Sequence, residues 1–201
     1  MREEEIKKEL EEEIKERKQT AMERSSEEYN REKERYIEEF VTIIDGMFKK
    51  CIDLQKTNEE GKGGIRYIYI SYMRSSMEAG SYEYVIRMHD DTYHYDTFEV
   101  EGRFTAEHRI PSMKEDAEYF SRLIMGKIIR AKKYEVKDFL REYMEEVYVR
   151  PIPEQIEESI ERIKELESYG TVKKDESMSV YYGEMTDCYY RKIELYTEEW
   201  L

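Results

Sequence analysis

The chain has 201 residues, 41% of them charged and 39% hydrophobic, and a formal net charge of −14. That length supports one substantial core or two small ones, and an aromatic content of 13% argues against a disordered chain. The acidity disfavours nonspecific attachment to nucleic acid or anionic lipid, no segment approaches the roughly 20 apolar residues of a membrane span, and charge fills Met1 to Lys18 where a signal peptide carries an apolar core.

A cytoplasmic protein without a cofactor is therefore expected, with reduced thiols at Cys51 and Cys188. Residues 1–24 read as a charged helical arm. Glu3 with Lys7, Glu4 with Lys8 and Glu11 with Lys15 pair four apart, and Ile6, Leu10 and Ile14 make only a thin apolar stripe. The arm is expected to protrude; the alternatives are that it lies loosely on the domain or forms a coiled coil with a second copy. Residues 25–201 are expected to form a single α+β domain.

Within that domain Ser25 and Glu28 stand in capping-box spacing before a helix over 26–56, whose stripe runs through Tyr36, Ile37, Phe40, Ile44, Phe48 and Cys51. The glycine-rich loop Gly61-Lys62-Gly63-Gly64 follows. A strand precedes a phosphate-binding loop, whereas here a helix does, so the loop reads as a change of direction. Residues 65–104 alternate as three strands joined by short turns. The fold class is thus α+β, with a three- to four-stranded antiparallel meander packed against several helices. Gly102 fits a bulge where the third strand leaves the sheet. Helices are predicted over 112–131, 134–147 and 153–169, the first from Pro111 and the cap Ser112, the last opening on Pro153. In the tail, 177–200, a strand over Met178 to Tyr182 is followed by a closing helix marked by Tyr189, Ile193, Tyr196 and Trp200.

Tyrosine is the most informative residue type. Of 19 tyrosines, 12 lie between Tyr67 and Tyr95 or between Tyr181 and Tyr196. Tyr67, Tyr69, Tyr82, Tyr84, Tyr93 and Tyr95 are expected to help form an aromatic sheet face flanked by Glu83, Glu99 and Glu101. Arginine stacks on tyrosine while pairing with glutamate, so such a face suits a basic protein surface, including a groove that ordinarily takes nucleic acid. In composition the chain is similar to small phage-encoded inhibitors of nucleic-acid-directed defence enzymes, which act as nucleic-acid mimics. That likeness implies a non-catalytic inhibitor. Two alternatives come from other classes. His89, Asp91 and His94 are weak candidates for a metal site which, with the strand carboxylates, would serve a hydrolase or nuclease. Arg122, Lys127, Arg130, Lys132, Lys133 and Lys137 form the one basic cluster and are the candidates for contact with RNA.

Overall fold

A computed structural model describes residues 3–57, 62–73, 75–76, 80–92, 95–128, 131–184 and 190–193. The chain divides into two compact units, one formed by residues 1–33 and 106–153, the other by 34–105 and 154–201. The first is helical: α1 (Glu3–Glu9), α2 (Glu11–Arg31), a short 3-10 turn (Glu107–Arg109), α4 (Ile110–Lys127) and α5 (Lys133–Met144), which continues into a π-helical turn (Glu145–Val149). The second holds α3 (Lys33–Lys56), β1 (Ile65–Tyr72), β2 (Glu83–His89), β3 (Val100–Thr105), α6 (Glu154–Lys164), α7 (Glu167–Thr171), β4 (Lys174–Glu184) and β5 (Tyr190–Ile193).

The N-terminal segment is not a protruding arm. Ile6 and Leu10 are fully buried, and the charged flanks of their stripe reach α5 and the π turn through Lys7–Glu142 and Lys18–Glu146, each 2.6 Å. Those long-range pairs lie outside the i, i+4 pattern from which an isolated helix was expected. The helix placed at 26–56 also differs: α2 runs through Ser25, which is buried, and breaks at Glu32 before α3 starts. The span 153–169 is likewise two helices, interrupted at 165–166.

In the first unit the buried Asp116 carboxylate accepts hydrogen bonds from the Tyr143 and Tyr148 hydroxyls at 2.7 and 2.9 Å and faces Arg17 Nε at 3.1 Å. The π turn is what makes this geometry available. Its i to i+5 spacing, seen in the Arg150 N–H bond to the Glu145 carbonyl at 2.8 Å, brings residues five apart onto one side. Arg109 then closes the turn, donating to the carbonyls of Tyr148, Pro151 and Ile152.

The sheet of the second unit has the order β3-β2-β1-β4-β5. β1, β2 and β3 form the expected antiparallel meander. The sheet as a whole is mixed, because β4 pairs parallel with β1. A parallel neighbour needs a crossover, and the stretch 106–173 between β3 and β4 supplies one long enough. The predicted closing helix of the tail gives way to β5, which pairs antiparallel with β4 from Val180 opposite Ile193 to Gly183 opposite Tyr190. The exposed edge of β4 offers a hydrogen-bond ladder that outweighs the helical spacing of Tyr189 and Ile193; Tyr189, Tyr196 and Trp200 lie outside the described residues.

One face of this sheet carries Ile68, Ile70, Ile86, Met88, Val100 and Phe104 and packs on α3, with Phe40 edge-on to Phe104 at 4.9 Å and Cys51 against Met88. Burial raises the Cys51 thiol to about 11, so it stays protonated and inert. Gly102 lies within the regular β3 ladder opposite Ile86 and makes no bulge. A Cβ there would fall 2.5 Å from Met47 Sδ and 3.1 Å from Ile43 Cγ2 of α3. G102V is therefore expected to overpack this contact and lower stability by about 1–3 kcal/mol in urea denaturation.

The loop that enters β1 is anchored by Lys62, whose side chain is fully buried. Its ammonium meets Asp96 Oδ2 at 2.5 Å and donates to the carbonyls of Met88 and Phe98 at 2.9 and 3.0 Å. Asp96 in turn accepts the N–H groups of Asp90 and Phe98 at 3.1 and 2.8 Å. Asp90 binds Gly63 and Thr92, and these bonds, against the cost of burial, hold its carboxyl below the usual range. One lysine thus ties the connection between β2 and β3 to the start of β1.

Candidate functional site

Side chains alternate across a pleated strand, so the residues of β1 that do not face α3 are Tyr67, Tyr69 and Ser71. The register places Tyr69 between Arg87 of β2 and Tyr181 of β4, and Tyr67 between His89 and Ser179. Three tyrosine rings result. Tyr69 and Tyr181 stack with centroids 5.2 Å apart and planes 18° from parallel, and Tyr67 lies 6.1 Å from Tyr69 and 6.4 Å from Tyr181. All three are half-buried, and the apolar residues of α3, α6 and α7 line a cavity against the opposite face, beside Ile68, Ile70 and Val180.

Beside the rings, β2 and the approach to β3 carry a ladder of alternating charge. Arg87 Nε is 3.0 Å from Glu99 and its terminal nitrogen 3.2 Å from Glu101; Arg103 lies 2.9 Å from Glu101 and 3.7 Å from Glu83. Burial alone would raise the Glu101 carboxyl, but hydrogen bonds from Arg103 and Arg87 outweigh it and hold it below the usual range. His89 joins ladder and rings: it is buried, its ring edge-on to Tyr69 at 5.9 Å and its Nε2 3.4 Å from Glu99. Burial lowers its pKa against the opposing pull of Glu99 and Asp96, so a neutral imidazole occupies this corner at neutral pH.

Among the sequence-predicted site residues, the structure brings together Tyr67, Tyr69, Glu83, Glu99 and Glu101. Tyr84 goes elsewhere. It shares the parity of Ile86 and Met88, is buried on the helix-covered face and stacks on Phe104 at 4.8 Å. Tyr82 precedes β2 at a φ of 50°, half-buried, and burial pushes its hydroxyl pKa up. Tyr95 stands 86% exposed in the β2–β3 connection. Tyr93 and His94 lie outside the described residues. Tyr181, which completes the ring cluster, was not among the predicted site residues; its place in the second tyrosine window and in the strand predicted over Met178 to Tyr182 does not reveal its neighbour.

Asp91 is exposed at its turn, and among the described residues no group of three or more His, Cys, Asp or Glu side chains is arranged to hold a metal ion. The predicted basic cluster belongs to the helical unit. Lys127 pairs with Glu13, while Arg122, Lys132, Lys133 and Lys137 are exposed around the end of α4 and the start of α5; Arg130 lies outside the described residues. No described helix is long and apolar enough to cross a membrane. Searches against family models, curated proteins and solved structures find no match to this chain.

Proposed function

We propose that the chain is a non-catalytic protein-interaction module whose tyrosine face takes an arginine-bearing segment of a basic partner. The observation that carries this reading is the ring cluster of Tyr67, Tyr69 and Tyr181 on the sheet face turned away from α3. A guanidinium stacks well on such rings, and tyrosine offers broad contact at small rotamer cost. Charge supports the same partner. Residues 34–105 and 154–201 carry 27 Asp and Glu against 15 Lys and Arg, a net of −12 within the chain's −14. Arg87 and Arg103 pair with Glu83, Glu99 and Glu101 beside the rings, so the attraction for a basic partner comes from the excess of three carboxylates over two guanidiniums in this ladder and from the net charge of the unit. The same chemistry suits occupation of a basic groove built for nucleic acid, which is how an inhibitor of a nucleic-acid enzyme would act.

The test is fluorescence anisotropy with labelled nona-arginine, nona-lysine and single-stranded RNA. Nona-arginine is expected to bind best, and Y69A/Y181A to weaken it by at least about tenfold while the far-ultraviolet spectrum is kept. Undiminished arginine binding by that variant, or preferential RNA binding lost on replacing Lys132, Lys133 and Lys137, overturns the proposal in favour of another surface.

A further inference from the structure

β3 closes one end of the sheet, and among the described residues no strand pairs with its outer side. Its backbone is open there: Gly102 has no side chain, so its partial exposure is that of the main chain itself. Alternate residues of an edge strand point both main-chain polar groups away from the sheet, where they need water or another chain. Proteins commonly blunt such edges with proline, lysine or a bulge. β3 has none of these, and Val-Glu-Gly-Arg-Phe-Thr runs as a regular six-residue ladder against β2. It carries two opposite charges instead. The register through Arg87 to Tyr69 puts Glu101 on the face of the tyrosines, and Arg103 shares its parity, while Val100 and Phe104 are buried on the face of α3. The Arg103 side chain is 55% exposed and that of Glu101 33%.

We infer that β3 pairs antiparallel with β3 of a second copy of this chain, about a two-fold axis through Gly102. That register sets Glu101 of each copy opposite Arg103 of the other and continues the apolar row of the α3 face by placing Val100 beside Phe104. Opposite charges directly across an antiparallel pair stabilise it, and like charges oppose it. Registers centred on Glu101 or on Arg103 would bring two like charges together on the axis and leave Val100 or Phe104 against Gly102. Each copy thus presents the same patch and is complementary to itself, as a closed two-fold interface requires. Six residues a side bury less than a standard interface, and both copies are acidic. The dimer is therefore weak, with a Kd on the order of 100 µM at physiological salt, where repulsion beyond about 8 Å is screened. Both ring clusters then lie on one face, with five strand spacings, about 24 Å, between the two copies of Tyr69. The pairing itself requires nothing of the rings.

Sedimentation velocity of the full chain from about 5 to about 500 µM tests the inference, with the sedimentation coefficient expected to rise from that of a monomer to that of a dimer. R103E, which sets glutamate against glutamate, should weaken the dimer at least about tenfold, and E101R/R103E, which restores opposite charges, should recover it to within about threefold. Oxidative crosslinking in a C188S background reads the register and decides the matter if E101R/R103E does not fold. Residues directly opposed in an antiparallel pair have Cα atoms about 4.5–5.5 Å apart, within reach of a disulfide. An equal mixture of E101C and R103C should therefore form a disulfide-linked pair, whereas either variant alone should not. A monomer across the whole concentration range, association unchanged by R103E, or crosslinking of one cysteine variant alone as strong as that of the mixture overturns the inference.

Discussion

Replacing Lys62 by methionine is expected to lower the stability of the protein by about 3–5 kcal/mol, the usual cost of removing one partner from a buried ion pair. The Lys62 and Asp96 side chains are both fully buried, and three acceptors converge on the lysine: Asp96, the Met88 carbonyl and the Phe98 carbonyl. Methionine fills much of the same volume and donates to none of them. Asp96 would keep the N–H groups of Asp90 and Phe98 but lose its cation; among the described residues the other basic side chain within 4.0 Å is His89, 3.9 Å away and neutral at physiological pH. The double variant K62M/D96N removes the stranded charge, so urea denaturation should show it to be less destabilised than K62M. A loss below about 1 kcal/mol for K62M would mean that the lysine contributes little to this connection.

The second large effect is expected at Asp116. In D116A the hydroxyls of Tyr143 and Tyr148 and the Arg17 guanidinium lose a common acceptor inside the helical unit. Each buried hydroxyl left unsatisfied costs about 1–3 kcal/mol, so a loss of about 3–5 kcal/mol is expected. D116N, which retains one carbonyl oxygen as acceptor, should fall between D116A and the natural chain. The pair also gives the protein a pH signature. Burial, reinforced by Asp116, raises both tyrosine pKa values far above normal, so the folded chain keeps protons that the unfolded chain releases. Stability from this source is complete below the ordinary tyrosine pKa of about 10 and declines as pH rises above it. Ultraviolet titration should show two tyrosines that ionise only on alkaline unfolding; D116A should shift them to lower pH if it still folds.

Much of the second unit is legible in local pattern. The stripe of α3 and the alternation of β1 identify a helix and a strand without further information, and the parity of Tyr84 with Ile86 and Met88 is enough to send it under α3. What local pattern does not encode is the pairing of segments far apart in the chain. Tyr69 and Tyr181 become neighbours only through the parallel register of β1 and β4, and the first residues of β4, Lys174-Asp175-Glu176-Ser177, have no apolar alternation to advertise a strand. Lys62 is hidden for a different reason. A lysine among glycines reads as solvated, and its three acceptors come from residues 26 to 36 positions later. In the first unit, the thin stripe of Ile6 and Leu10 understates its burial because the ion pairs beside it, from Lys7 of α1 and Lys18 of α2, reach Glu142 and Glu146 far away in the chain.

The central place of β1 between β2 and β4 has a bearing on biosynthesis. A nascent chain released as far as Thr105 can zip β1, β2 and β3 into a hairpin stack, but the remaining edge of β1 must wait until residues 174–184 have been translated. Closing so long a loop carries an entropic cost that local hairpins avoid, which makes it a late step. The aromatic platform is therefore finished only once residues 174–184 have emerged, and a shorter nascent chain would show its unpaired edge to solvent before it could engage anything through its rings.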